Sequence, residues 1–127
     1  MTQIVVDGLL HCTYGPAIIT ESGDKWWYNK GNLHRENGPA IEHANGAQEW
    51  WIHGFRHRDV GPAVITPSKM EWWHYGHLHR EDGPAIIYSD NTCRWACNHV
   101  RYKFDEWCNK VNLPNATRLI LELAWNT

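Results

Sequence analysis

The chain has 127 residues, enough for one domain and too few for two well-packed ones. Its formal net charge is -2 and its sequence pI is near 6.5, which argues against a general DNA or RNA binder, because such proteins carry an excess of Lys and Arg. Nine Trp and nine His stand beside only two Met and two Phe, so Trp takes places usually filled by Leu and Phe, for architecture, for recognition, or for both.

Residues 1–8 hold neither a basic segment nor a long apolar one, so neither a signal peptide nor a transmembrane span is expected. Cys12, Cys93, Cys97 and Cys108 lack the spacing of a disulfide framework, and free thiols in a reducing cytoplasm are the expectation.

From Gly8 onward the chain is self-similar. Gly-Pro-Ala occurs at 15–17, 38–40, 61–63 and 83–85. A His precedes each, at His11, His34, His57 and His79; Arg35, Arg58 and Arg80 follow the last three, and Cys12 follows the first. Pairs come next at Trp26-Trp27, Trp50-Trp51 and Trp72-Trp73, with Trp95-Ala96 in the last copy. This defines four units of about 23 residues, roughly 8–30, 31–53, 54–75 and 76–99.

Each unit is predicted to be a β-hairpin. Gly-Pro fixes a turn before the first strand. Residues 17–20 and their counterparts are β-prone, and the Trp pair sits in the second strand. The turns between them fall at Ser22-Gly23-Asp24, at Asn45-Gly46, a favoured type I′ pair, at the less typical Pro67-Ser68, and at Ser89-Asp90-Asn91. The tail predicts a short helix over 104–111 and a second over about 116–125, begun by Pro114 and Asn115. Ala116, Leu119, Ile120, Leu123 and Ala124 have helical spacing in it. A cap that seals the last unit is one use of these helices, and homodimerisation is the other. The expected fold is mostly β: a single-layer antiparallel meander of four hairpin repeats over 1–102, with a small C-terminal helical cap over 103–127.

Adjacent residues on a strand face opposite ways, so the Trp pairs predict two ladders. Trp26, Trp50, Trp72 and Trp95 have the more apolar neighbours and are assigned to the core. Trp27, Trp51 and Trp73 are assigned to solvent or a ligand, and end at Ala96. On the preceding strand Ile18, Ile41, Val64 and Ile86 form an unbroken apolar row, whereas the row of Ile19, Glu42, Ile65 and Ile87 admits a charge.

The candidate binding residues are Trp27, Trp51 and Trp73 with Arg35, Arg58, Arg80, His34, His57, His79, His53 and Tyr75. Indole faces can stack on bases while Arg holds phosphates. Trp and Arg also anchor protein interfaces. Each row has an architectural alternative: a stiffening Trp ladder, Arg paired with Glu36, Asp59 or Glu81, and His bonded to the next unit. Cys93, Cys97, His99 and Cys108 have metal-binding chemistry, but Cys93 and Cys97 lie roughly 13 Å apart on a strand, too far to share zinc. No nucleophile-base spacing and no phosphate loop followed by a helix stands out. No metal, no cofactor and no catalysis are expected.

Over residues 8 to about 99 the chain resembles the MORN-repeat variants, whose units carry a Gly-x-Leu-x-x-Gly-Pro-Ala core and a Trp/Tyr-rich second strand. The His-Arg-x-x-Gly-Pro-Ala subtype is similar to small proteins of bacteriophages and large DNA viruses. The resemblance implies an elongated antiparallel sheet and an interaction scaffold. It also implies a counter-defence role in the host cytoplasm, sequestering an anionic nucleotide-like small molecule. The alternative is a scaffold that binds and inhibits a host protein. Neither long nucleic acid nor membrane is an expected partner. Open sheet edges and the C-terminal helices are the expected routes to a homo-oligomer.

Overall fold

The structure is a computed structural model and describes residues 2–125. It is mostly β, with antiparallel hairpins in a sheet and two C-terminal helices. Ten strands pair side by side in the order Thr2–Gln3, Ile18–Ile19, Lys25–Trp26, Ile41–Glu42, Gln48–Glu49, Val64–Ile65, Lys69–Glu71, Ile86–Tyr88, Cys93–Cys97 and Val100–Tyr102. From Ile18 on, order in the sheet is order in the chain, so every link is local.

A second set of hairpins lies beside this sheet. Val5–Val6 pairs with Leu9–Leu10, Tyr28–Asn29 with Asn32–Leu33, Trp51–Ile52 with Phe55–Arg56, and Trp73–His74 with His77–Leu78. Each is tied to the next by backbone bonds, such as Arg35 N–H to the Trp51 carbonyl at 3.1 Å and Gly54 N–H to the Leu33 carbonyl at 2.8 Å. The chain passes from the large sheet to a small hairpin at one residue per unit. There the N–H of Trp27, Trp50 or Trp72 donates to Ala40, Ala63 or Ala85, and its carbonyl accepts from His34, His57 or His79.

Those small hairpins hold the type I′ turns. Asp7-Gly8, Lys30-Gly31, His53-Gly54 and Tyr75-Gly76 all have positive φ at both residues, as this turn requires. The type I′ turn expected at Asn45-Gly46 is not one. Only Gly46 is left-handed, at φ 90°, and its N–H donates to the His43 carbonyl at 2.9 Å. That is a type I turn closed by a left-handed residue, which accommodates one residue more than a two-residue loop. Gly76 shows the constraint most sharply. Its φ is 83°, and a Cβ there would stand 3.0 Å from Phe55 Cδ1. Gly76→Ala is expected to cost about 1–2 kcal/mol in urea unfolding. Gly15→Ala is the control, because its Cβ would meet nothing within 4 Å.

The Trp ladders need correction in both register and face. Ile18 pairs with Trp26, but Ile41 pairs with Glu49, Val64 with Glu71 and Ile86 with Arg94. Trp26 therefore stands in the row of Glu49, Glu71 and Arg94. Trp27 aligns with Trp50, Trp72 and Trp95, and Tyr28 aligns with Trp51, Trp73 and Ala96. The first Trp pair begins one residue earlier in its strand than the others. Trp27, Trp50 and Trp95 each stand 12 residues after the motif glycine. Trp72 stands 11 after it, because the third hairpin, closed through Pro67-Ser68 with Thr66 N–H bonded to Lys69, is one residue shorter; matching pair to pair therefore misplaces the first unit.

The division into a dry and a wet ladder also fails. Trp26, Trp27, Trp50, Trp51, Trp72 and Trp73 are all half-buried, while Trp95 and Ala96 are both buried. The core is built instead on the Gly-Pro-Ala alanines, Ala17, Ala40, Ala63 and Ala85, and on the row Ile18, Ile41, Val64 and Ile86, all buried. The second row is more open, with Ile19 exposed and Glu42 half-buried.

Helix α1, Phe104–Lys110, closes the end of the sheet. Its Phe104, Trp107 and Cys108 pack with Trp95 and Cys97 in one buried cluster. Helix α2, Asn115–Trp125, buries no residue fully. The face expected to pack is the open one: Ala116, Leu119, Ile120, Leu123 and Ala124 are exposed, and Leu121 and Trp125 touch the cluster instead.

Candidate functional site

The His-Arg-x-x-Gly-Pro-Ala motif builds a ridge of loops at one edge of the hairpin stack. Its His comes first. His34 Nδ1 accepts the His53 N–H at 2.9 Å, His57 Nδ1 accepts Tyr75 N–H at 3.0 Å, and His79 Nδ1 accepts Asn98 N–H at 2.9 Å. His11 does the same with Lys30 at 3.0 Å. Each acceptor ties one hairpin to the tight turn of the hairpin that follows it. With Nδ1 accepting, Nε2 carries the proton; in the last three units it points to an acid two residues on, and His11 Nε2 meets the Thr13 hydroxyl at 3.4 Å instead. His57 Nε2 lies 2.7 Å from Asp59, His79 Nε2 lies 3.4 Å from Glu81 and His34 Nε2 lies 3.7 Å from Glu36.

Arg completes the loop. The Cζ atoms of Arg35, Arg58 and Arg80 lie 3.9, 3.8 and 3.9 Å from the ring centres of Trp27, Trp50 and Trp72. Their Nη1 atoms donate to the carbonyls of Pro39, Pro62 and Pro84 at 3.1, 3.0 and 3.1 Å. The motif glycine makes the room: a Cβ on Gly38, Gly61 or Gly83 would stand 3.1, 3.1 or 2.7 Å from the same Cζ. The first unit, with Cys12 in place of Arg, leaves the space at Gly15 empty. Each motif Arg is thus held between a Trp ring and a glycine. Arg35 also meets Glu42 at 2.9 Å and Arg80 meets Asp82 at 2.8 Å. Desolvation lowers the Arg58 pKa from its ordinary value.

The other expected site residues divide between the ridge and the interior. His53 and Tyr75 head type I′ turns, and their rings stack on His34 and His57 with centres 4.3 and 3.9 Å apart. Trp51 and Trp73 do not present free faces. Trp51 Nε1 donates to Glu49 at 3.2 Å and Trp73 Nε1 donates to Glu71 at 2.8 Å. Arg56 lies between them, its Cζ 5.1 and 5.2 Å from their ring centres. Glu71 is buried and also meets Lys69 Nζ at 2.8 Å. Where Trp26 replaces this acid, its Nε1 is buried without a partner.

Sequence reasoning missed Arg56, Glu49, Glu71 and the loop tips. Arg56 had a signal: it breaks the Leu10, Leu33, Leu78 pattern ahead of the motif His. The tips had none, because Tyr14, Asn37, Val60 and Asp82 share no chemistry. Tyr14 and Val60 are 98% and 84% exposed, more than any other large apolar side chain among the described residues.

Between successive loops lie three open pockets. The first, about 380 Å³, runs from His11–Gly15 to His34–Asn37 over Trp27. The next, about 580 Å³, lies between Arg35–Pro39 and His57–Val60 over Trp50. The last, about 500 Å³, lies between Arg58-Asp59 and His79–Asp82 over Trp72. Neighbouring pockets share the loop between them, Arg35–Asn37 for the first two and Arg58-Asp59 for the last two, so the three make a row, a groove notched by the loops, across the units.

His74 opens on the last pocket. Burial, and then the neighbouring His57 and His79, push its pKa below the ordinary 6.5, while Asp59 and Glu81 pull it up. A base depressed in the fold contributes stability above the unfolded pKa, and that contribution is lost as pH falls from about 6.5 toward the folded value. Urea unfolding at neutral and mildly acidic pH should show a smaller loss for His74→Asn than for the parent chain.

Burial raises the pKa values of Cys93, Cys97 and Cys108, which keeps these thiols protonated and poor as nucleophiles. Among the described residues no three His, Cys, Asp or Glu side chains gather as a metal site, and no helix is long and apolar enough to cross a membrane. Compared with protein-family models, curated proteins and solved structures, the chain matches none.

Proposed function

We propose that the chain is a non-catalytic docking protein of the cytoplasm, MORN-like in design. In this reading four hairpin units stack in one layer and offer their loop ridge to a partner protein. The observation that carries it is the position of the tips. The two most exposed large apolar side chains, Tyr14 and Val60, stand on the ridge beside the pockets, where a monomer gains nothing from exposing them. Host-protein inhibition is a natural use of such a ridge.

The charge balance favours a protein partner over an anionic nucleotide. The Arg groups that would hold phosphates are stacked and bonded to proline carbonyls. The outward groups are carboxylates: the side chains of Glu36, Asp59, Glu81 and Asp82 are 79, 87, 70 and 85% exposed.

Panning a peptide display library on the intact chain tests this. Peptides are expected whose binding is lost in Tyr14→Ser/Val60→Ser, a pair exposed enough to leave stability unchanged. The reading fails if no tip-dependent peptide emerges, and fails in favour of sequestration if cyclic or ADP-ribose-type nucleotides quench Trp emission saturably and release heat.

A further inference from the structure

We propose that the groove receives a polyproline II segment with Lys or Arg at every third residue, one cationic side chain per pocket. This rests on the docking reading above and names the partner's chemistry. Three observations lead to it.

The first is pitch. The groove runs across the strands, and each unit adds two strands to the large sheet. Neighbouring strands are about 4.7–4.9 Å apart, so successive pockets are offset by roughly 9–10 Å. A polyproline II chain rises about 3.1 Å per residue with three residues per turn, so one side chain in three returns to the same face every ~9.3 Å. A β-strand does not fit, because its residues three apart point to opposite faces.

The second is charge. The only strongly exposed ionic groups among the pocket-lining residues are those four carboxylates, whereas the side chains of Arg35 and Arg80 are 28 and 20% exposed. The carboxylates also increase along the groove. The pocket over Trp27 has Glu36, that over Trp50 has Glu36 and Asp59, and that over Trp72 has Asp59, Glu81 and Asp82. The third is the apolar wall. A long basic side chain can lay its methylenes on Trp50, Ile52 and Val60 while its head reaches the acids.

The test uses fluorescently labelled peptides of about nine residues and the intact chain, read by anisotropy at low and physiological salt. One peptide repeats Arg-Pro-Pro; a second has the same composition with its Arg contiguous; a third repeats Glu-Pro-Pro; an oligo-dT strand is the nucleic-acid control. The Arg-Pro-Pro peptide should bind about tenfold tighter than the contiguous one, and salt should weaken it. Binding should fall about tenfold in Glu36→Gln/Asp59→Asn/Glu81→Gln/Asp82→Asn, whose amide oxygens can still accept from His Nε2 at the first three positions and from Arg80 Nε at the fourth. If that variant fails to melt like the parent, Asp82→Asn alone should still weaken binding. Equal binding of the two Arg peptides, preference for the acidic peptide or oligo-dT, or no effect of the neutralised acids overturns the inference. If library peptides bind in a tip-dependent way and the Arg-Pro-Pro peptide does not, the docking reading stands and this inference alone falls.

Discussion

Trp107→Ala should destabilise the chain by about 3–5 kcal/mol, the usual cost of emptying a buried Trp site. Trp107 is fully buried. Its ring centre lies 4.5 Å from that of Trp95, and its Nε1 donates to the Arg80 carbonyl at 3.0 Å. That bond joins the cap directly to the last motif loop. In the earlier units the ring at the Trp95 position is covered by a motif Arg from the following loop. After the last unit there is no such loop, and α1 supplies Trp107 and Phe104 instead, the latter 4.9 Å from Trp95. The substitution should therefore expose Trp95 and loosen the loop at Arg80. Denaturant unfolding measures the cost, and amide exchange should show protection lost first at residues 93–110. A cost below about 1 kcal/mol would mean that α1 is an ornament and that the last unit closes without it.

How much of this was legible in the sequence differs by feature, for physical reasons. The antiparallel hairpins and the buried row Ile18, Ile41, Val64, Ile86 were readable because turn signals and alternation on a strand are short-range properties. The tail helices were readable because capping signals are local, though the buried stripe of α2 was not: Leu119, Ile120 and Leu123 are as apolar as the Leu121 and Trp125 that pack. The register of Trp26 and Trp27 was lost because the first Trp pair starts one residue earlier in its strand, and aligning pair with pair hides that offset. Counting back from the following glycine would have recovered it, since Trp27, Trp50 and Trp72 each stand four residues before Gly31, Gly54 and Gly76. The role of the Arg row was out of reach in principle. Stacking on a ring eight residues back and fitting over a glycine three residues on are three-dimensional facts that no spacing rule announces.

That Arg clamp gives the second large effect. Arg80→Ala should cost about 2–3 kcal/mol: a partly desolvated cation–π contact with Trp72 contributes about 1–2, and the charged bond to the Pro84 carbonyl adds about 1, lowered because a fifth of the side chain meets water. Arg80→Lys should not restore it, since an ammonium lacks the flat face that lies on the indole and against Gly83. Gly83→Ala should cost about 1–3 kcal/mol, because its Cβ would stand 2.7 Å from Arg80 Cζ and must push the guanidinium off the ring. The two changes should be strongly non-additive. With the guanidinium gone, the new methyl enters space already vacated, so Arg80→Ala/Gly83→Ala should cost clearly less than the sum of the singles, with a coupling of about 1 kcal/mol or more. The first unit is the built-in control: Cys12 stands there in place of Arg, and Gly15→Ala should be close to neutral. Additive costs at Arg80 and Gly83, or a cost at Gly15 equal to that at Gly83, would mean that the glycine serves the turn alone and the Arg is free for a ligand. Coupling would instead show that the His-Arg-x-x-Gly-Pro-Ala motif is one mechanical part, leaving the tips and their carboxylates as the surface open to a partner.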